Sequence, residues 1–139
     1  MRTILLVTGR NLKLTGIKRL LSDSYLDAAV NEVGCEDLTA YLQSGASPDL
    51  IIYAPRSVGR LGKKFLRVKA LAGKAKFLVY SQFRHDEQKL FDYLAVGVNG
   101  ILATNAQLTE QQRALDTVLR GDSFVDVMTR GNMLGRTIG

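Results

Sequence analysis

The chain predicts an α/β fold: a doubly wound parallel sheet of five strands with helices on both faces. Three observations carry that expectation. Short runs of aliphatic and β-branched residues, continuous enough to be buried on both faces, alternate five times with segments of helical period. Glycine closes four of those helical segments, at Gly45, Gly73, Gly97 and Gly121. The length of 139 residues fits one domain with one ordinary core.

The elements follow in order. Thr3 to Val7 is an unbroken apolar run and reads as the first strand. Thr8-Gly9-Arg10-Asn11 is a turn, with Asn11 placed to cap a helix over about 11–22 that turns Leu14, Ile17, Leu20 and Leu21 inward. Ala28 to Val33 is the second strand, and Glu36 to Gln43 a short helix burying Leu38, Tyr41 and Leu42. Pro48 breaks the chain before the third strand, Leu50 to Ala54. After the Pro55–Gly59 loop, a helix over about 60–72 buries Leu61, Phe65, Val68 and either Leu71 or Ala72. Phe77 to Tyr80 is the fourth strand, and a helix over about 85–95 turns Leu90, Phe91 and Leu94 inward. Gly100 to Ala103 is the fifth strand, and a helix over about 107–120 buries Leu108, Ala114, Leu115, Val118 and Leu119. Residues 127–139 lack periodicity and read as a tail or the start of a linker, which leaves 1–126 as the domain.

Strand and helix in strict alternation require parallel pairing through right-handed crossovers. Five such units in this length suggest the flavodoxin-like strand order 2-1-3-4-5, whose function sits at the carboxyl ends of the strands. Those ends are Thr8-Gly9-Arg10, Ala54-Pro55-Arg56, Ser81-Gln82-Phe83 and Thr104-Asn105.

Composition narrows the function. Hydrophobic residues make up 46% and charged residues 23%, the mix of a soluble globular protein. No apolar run approaches the roughly 18 residues of a membrane span, and the apolar start is too short for a signal peptide, so a cytoplasmic location is expected. Cys35 is the single cysteine, so no disulfide forms within the chain, and it reads as a small hydrophobe. His85, beside Asp86 and Glu87, is the single histidine and has no partner for metal binding or catalysis. Neither a P-loop nor a G-x-G-x-x-G fingerprint occurs, zinc-ligand spacing is absent, and no G-x-S-x-G elbow is found. No cofactor is expected.

The net charge is +6, and it is concentrated. Arg56 to Lys76 holds eight basic residues and no acidic one, while the rest of the chain has 11 basic and 13 acidic residues. The helix over 60–72 therefore presents Lys63, Lys64, Arg67 and Lys69 around an apolar stripe. Such a run is either a solvated face or a dock for an acidic protein or nucleic acid, and it lacks the interleaved aromatics of a single-strand binder.

Several segments resemble the receiver domains of two-component response regulators, above all those linked to LuxR-type helix-turn-helix domains. They are Ile4-Leu5-Leu6-Val7, Ser47-Pro48-Asp49-Leu50-Ile51-Ile52, Gly97-Val98-Asn99-Gly100-Ile101-Leu102 and Leu119-Arg120-Gly121-Asp122. The likeness covers about residues 1–126 and implies a CheY-like fold. It also implies a phosphorylation pocket with an acidic pair after strand one and an acceptor aspartate ending strand three. A hydroxyl ending strand four and a lysine ending strand five complete that pocket. Those positions fall on Thr8 and Gly9, Ala54, Ser81 and Thr104, and only Ser81 keeps the pattern. Tyr53, one residue earlier, restores no carboxylate.

Alanine has no nucleophile for a phosphoryl group. Thr8 and Gly9 offer Mg²⁺ one neutral hydroxyl where carboxylates are needed. Thr104 cannot pair with phosphate as a lysine does. The resemblance thus implies a pseudo-receiver without enzymatic activity, with no Mg²⁺ expected and a pocket that is uncharged or mildly positive from Arg10 and Arg56. Those arginines are either an anion site or solvated surface.

The expected function is phosphorylation-independent signalling through a protein partner or a homodimer. Two alternatives stay open: the regulatory half of a LuxR-type DNA-binding regulator whose helix-turn-helix is absent from these residues, and a small-ligand sensor or enzyme on the same fold. For dimerisation the resemblance points to a polar set on the last two helices (Lys89, Asp92, Tyr93, Gln111, Arg113, Asp116) or to the face of the first and last helices.

Overall fold

The computed structural model of the chain describes residues 2–9, 15–54, 63–80, 92–102 and 106–125. The first strand, β1 (Thr3–Thr8), leads to α1 (Thr15–Ser24) and β2 (Ala29–Gly34). A single 3₁₀ turn, Cys35–Asp37, then runs into α2 (Leu38–Gln43). The central strand β3 (Leu50–Ala54) precedes α3 (Lys63–Leu71) and β4 (Lys76–Tyr80). Residues 92–95 are helical and form α4. The chain closes with β5 (Gly100–Leu102), α5 (Leu108–Leu119) and β6 (Phe124–Val125).

Every strand pair is parallel, in the order β2-β1-β3-β4-β5-β6. Because side chains alternate along a strand, each central strand feeds two cores. Ile4, Leu6, Leu50, Ile52, Leu78 and Leu102 meet Ile17 and Leu21 of α1 and Leu115 and Val118 of α5. Leu5, Val7, Ile51, Phe77, Val79 and Ile101 meet Leu38 and Leu42 of α2, Phe65 and Val68 of α3 and Tyr93 of α4. The continuous apolar runs in the sequence are the signature of this two-sided burial.

Two polar residues pin the amino ends of the strands. The Thr3 amide donates to Asp49 Oδ2 at 2.8 Å, while the Asp49 amide donates back to the Thr3 carbonyl at 2.8 Å. One βαβ unit further on, the Phe77 amide donates to Asn99 Oδ1 at 2.9 Å and the Asn99 amide donates to the Phe77 carbonyl at 2.9 Å. Each side chain satisfies a backbone donor that has run past the end of its neighbour's ladder. The Asp of Pro48-Asp49-Leu50 and the Asn of Asn99-Gly100-Ile101 thus play one architectural role twice.

The sheet has six strands, not the five expected. After α5, Gly121 at φ +95° reverses the chain, and the Phe124 amide donates to the Asn99 carbonyl at 3.0 Å. Phe124 is buried against the α1–α5 side of the sheet. The extra strand arises because the crossover through α5 returns the chain beside β5, whose outer edge is otherwise unpaired.

Other expectations shift in detail. Leu71 is exposed and Ala72 takes the inward position. Leu108, expected in the core, is 59% exposed at the first residue of α5, and Gln111 takes the inward position one turn later. Tyr93, placed in the polar set, is buried with its ring edge-on to Phe65 at 4.8 Å. Asn11, Leu14, Leu61, Leu90, Phe91 and Ala103 lie outside the described residues.

Gly100 is the tightest point between sheet and helix. A Cβ built there lies 2.7 Å from Val118 Cγ2 and 2.8 Å from Leu78 Cδ1, both inside van der Waals contact. Gly100→Ala is expected to destabilise the fold by about 2 kcal/mol through overpacking. Gly16, in α1, meets nothing within 4 Å of the same position, so Gly16→Ala is expected to stabilise by about 0.5 kcal/mol. Urea unfolding of the two variants, which should move in opposite directions, checks this.

Candidate functional site at the carboxyl ends of the strands

The register of the sheet brings three of the sequence-marked positions together. Val7 pairs with Tyr53 and Thr8 with Ala54, and the Gly9 amide donates to the Ala54 carbonyl at 2.8 Å. Thr8 also pairs with Gly34 on its other side. Thr8, Gly9 and Ala54 therefore form one continuous ledge at the carboxyl ends of β1 and β3, where a fold of this topology places its ligands. Ser81, Thr104, Arg10 and Arg56 lie outside the described residues.

Ala54 is fully buried, with its methyl in the same apolar cluster as Leu6, Ile52, Tyr80 and Leu102. Tyr53 belongs to the opposite face. Its ring meets Phe65 edge-on at 5.5 Å, and Phe65 in turn meets Phe77 at 5.7 Å and Tyr93 at 4.8 Å. Burial, reinforced by Cys35 and Tyr93, pushes the Tyr53 hydroxyl pKa well above its ordinary value, so it is a neutral phenol at physiological pH. A shift of one residue along β3 thus exchanges a buried methyl for a partly buried phenol and brings no acid to the ledge.

The donor set at this ledge does not suit Mg²⁺. Thr8 supplies one neutral hydroxyl, Gly9 no side chain, and the Ala54 carbonyl already accepts from Gly9. Among the described residues no group of three or more His, Cys, Asp or Glu side chains gathers into a metal site. Two carboxylates do approach from the β2 side, and the sequence reading passed over them. A methyl built on Gly34 lies 3.6 Å from Glu36 Oε1 and 3.7 Å from Asp37 Oδ2. They stand at the end of β2, one strand further from Ala54 than Thr8. A Gly-x-Glu-Asp run directly after a strand was the available signal.

Cys35, in the same 3₁₀ turn, is half-buried, and that burial raises its thiol pKa although Lys64 pulls it down. It is a thiol rather than a thiolate at neutral pH and has no nucleophilic character.

The basic helix α3 packs against α2 and leaves an exposed surface. Lys63, Lys64 and Arg67 all face solvent. Lys69 lies over the Phe77 ring at 5.5 Å, and Lys76, at the start of β4, donates to the Leu119 carbonyl at 2.9 Å.

On the opposite side of the sheet α1 and α5 share a polar seam. The Tyr25 hydroxyl donates to Asp116 Oδ1, Gln112 Nε2 donates to the Tyr25 oxygen at 3.4 Å, and Ser24 Oγ donates to Gln112 Oε1 at 3.0 Å. The expected polar set on the last two helices does not form one face. Tyr93 and Gln111 are buried, and Gln111 Nε2 donates to the Ala106 carbonyl at 2.8 Å. Arg113 and Asp116 are exposed on α5, and Lys89 lies outside the described residues.

No protein-family model and no curated protein sequence matches the chain. Solved structures do. A LuxR-family DNA-binding response regulator from Silicibacter pomeroyi superposes with a TM-score of 0.73 at 18% identity, covering 93% of this chain and 99% of that one. RcsB from Salmonella enterica serovar Typhimurium, bound to a promoter in the presence of the phosphomimetic BeF₃⁻, gives 0.69 at 19% identity. That match covers 93% of this chain and 64% of RcsB. A pilus assembly protein, CpaE from Caulobacter crescentus, gives 0.62 at 18% identity over 85% of this chain and 99% of that one. The chain therefore has the α/β receiver fold of CheY-like proteins. Among the described residues no helix is long and apolar enough to cross a membrane.

Two outcomes follow for substitution. Ala54→Asp places a carboxylate in a fully buried apolar position and is expected to cost about 3 kcal/mol at neutral pH. Burial holds the pKa of that group in the folded chain above its unfolded value of about 3.9, so the loss is smallest below that pH, where the buried group is a neutral carboxyl, and grows as pH rises. Chemical denaturation at acid and neutral pH tests this, and a pH-independent loss would contradict it.

Burial, then the hydrogen bond to Asp116, raises the Tyr25 pKa well above its ordinary value. Its proton therefore contributes stability that is complete below the unfolded pKa of about 10 and declines as pH rises beyond it. Tyr25→Phe is expected to cost about 1 kcal/mol at pH 7 and to flatten the alkaline decline above pH 10. Paired unfolding curves at both pH values measure it.

Proposed function

We propose that this chain is a pseudo-receiver: residues 1–126 form a signalling module that works through protein contact without accepting a phosphoryl group. One observation carries the reading. The position ending β3, where the resemblance places the acceptor aspartate, holds the buried methyl of Ala54. Thr8 and Gly9, beside it, bring no carboxylate for a divalent ion. A ledge so built has neither the nucleophile nor the ion of phosphoryl transfer, so the domain offers partners one standing conformation. Its chemistry is recognition, not catalysis.

A second reading is favoured by the likeness to DNA-binding regulators. The module would then be the regulatory half of a transcription factor, pairing two copies so that an attached helix-turn-helix meets its operator. The reading frame beyond Gly139 distinguishes the two.

The test is incubation of the chain with acetyl phosphate and Mg²⁺, followed by intact-mass measurement and light scattering. Neither mass nor assembly is expected to change. Gain of one phosphoryl group that hydroxylamine removes, the behaviour of an acyl phosphate, overturns the proposal.

A further inference from the structure

The chain's positive excess resides in the segment Arg56 to Lys76, which has eight basic residues and no acidic one. Six of those cations are described, and two have work within the fold: Lys69 over Phe77 and Lys76 on the Leu119 carbonyl. The other four, Lys63, Lys64, Arg67 and Lys74, are exposed and meet no carboxylate among the described residues. Of the five described cations elsewhere, three have local counter-charges. Lys18 pairs with Glu32 at 2.8 Å, Arg19 with Asp23 at 4.0 Å, and Arg120 with Asp122 at 3.8 Å.

The outer face of α3 is also apolar. Five large hydrophobic side chains are exposed among the described residues, and α3 alone carries two of them, Leu66 at 45% and Leu71 at 38%. Phe65, Val68 and Ala72 point into the core. On the other side Lys63, Leu66, Arg67 and Ala70 recur at i, i+3, i+4 and i+7, the spacing of a helix face that meets a partner. Leu71 ends the helix beside this face, and Lys74 is exposed in the turn that follows, after Gly73 at φ +61°. The helix thus has two amphipathic sides, one buried and one open.

Local stability does not account for this arrangement. The first turn of α3 holds Lys63 and Lys64 and no acidic residue. The helix dipole favours negative charge there, and Lys63 and Arg67 repel each other at i, i+4. An arrangement unfavourable within the chain becomes favourable when a partner brings the missing carboxylates.

We infer that the outer face of α3 is a docking surface for an acidic amphipathic segment of a partner protein. Carboxylates of that segment would meet Lys63, Lys64, Arg67 and Lys74, and its apolar side chains would cover Leu66 and Leu71. The leucines select protein over nucleic acid. A phosphate backbone gains nothing from exposed Leu66 and Leu71, and α3 exposes no aromatic ring for a base to stack on. From Lys63 to Ala70 the face runs about 10 Å, two helical turns, which a short helix can cover. The inference rests on reading the chain as a contact module and names the chemistry of the contact.

The test is fluorescence anisotropy with the full chain and three labelled probes of equal charge. One is a helical peptide with glutamates beside a leucine stripe, one is the same peptide with serines for leucines, and one is duplex DNA. The glutamate–leucine peptide is expected to bind about tenfold tighter than either control. Arg67→Glu and the pair Leu66→Ser, Leu71→Ser should each weaken it about tenfold. These side chains are exposed, so circular dichroism should match the parent chain, and melting should shift only by the small amount that one i, i+4 charge pair is worth.

Failure of the glutamate–leucine peptide to bind overturns the inference, as does equal binding by the Leu66→Ser, Leu71→Ser variant. Tighter binding of the duplex makes the surface a nucleic-acid site instead. A chain that dimerises by light scattering, and that Arg67→Glu returns to monomer, gives the face to a second copy. Phosphorylation by acetyl phosphate with peptide binding intact would defeat the contact-only reading while leaving the α3 surface standing.

Discussion

The pairing of β1 with β3 is the constraint on which the rest of the molecule depends. Both strands are buried on both faces, so neither can slip by one residue without turning its whole apolar set to the wrong side. That register places Thr8 against Ala54 and lets Gly9 close the ladder on the Ala54 carbonyl. Asp49 fixes the other end by holding the Thr3 amide. The ledge at the carboxyl ends is thereby determined by core packing alone, whatever chemistry its side chains carry. A chain can lose every acid at such a ledge and keep the fold, because no acid took part in building it.

The buried methyl of Ala54 has an energetic side as well. A cluster of carboxylates in one pocket repels itself, and each member resists desolvation. Here the end of β3 is continuous with the apolar core through Ile52, Leu6 and Tyr80. The carboxylates that do approach, Glu36 and Asp37, sit on the exposed turn after β2, where water screens them. On α3, by contrast, Lys63, Lys64 and Arg67 are exposed and meet no carboxylate among the described residues.

Much of the fold was legible because two-sided burial writes itself as continuous apolar runs, and because glycines mark where helices must stop. β1, β3 and β4 fall within a residue or so of their expected places for that reason. β6 was not legible. Phe124-Val125 is too short to show any period, and its pairing depends on where α5 delivers the chain. Leu108 misled because hydrophobicity at a helix start looks the same whether the sheet still lies beneath it or not. Gln111 and Tyr93 misled in the other direction: Gln111 is buried with its Nε2 on the Ala106 carbonyl and its Oε1 without a partner among the described residues, and Tyr93 is buried against the Phe65 ring. At the site, Thr8, Gly9 and Ala54 were found by counting to the strand ends. Glu36 and Asp37 left a signal in the Gly-x-Glu-Asp run after β2, but their place beside Thr8 depends on its pairing with Gly34.

On the proposed reading, a receiver fold that takes up no phosphoryl group has to regulate by occupancy alone. In a switchable domain, phosphorylation alters the relative stability of two conformations, and partners read the shift. Without that input the partner's own binding energy is the only term that can favour one state over another. The surface it meets must then be available in the resting protein. Such a surface is recognisable by groups that the fold leaves unsatisfied, and α3 has them: like charges in one helical register, cations at the wrong end of a dipole, and leucines left in water. On that reading the methyl of Ala54 and the basic face of α3 are compatible, since a domain without an internal switch must place its specificity on an exposed face that needs no activation.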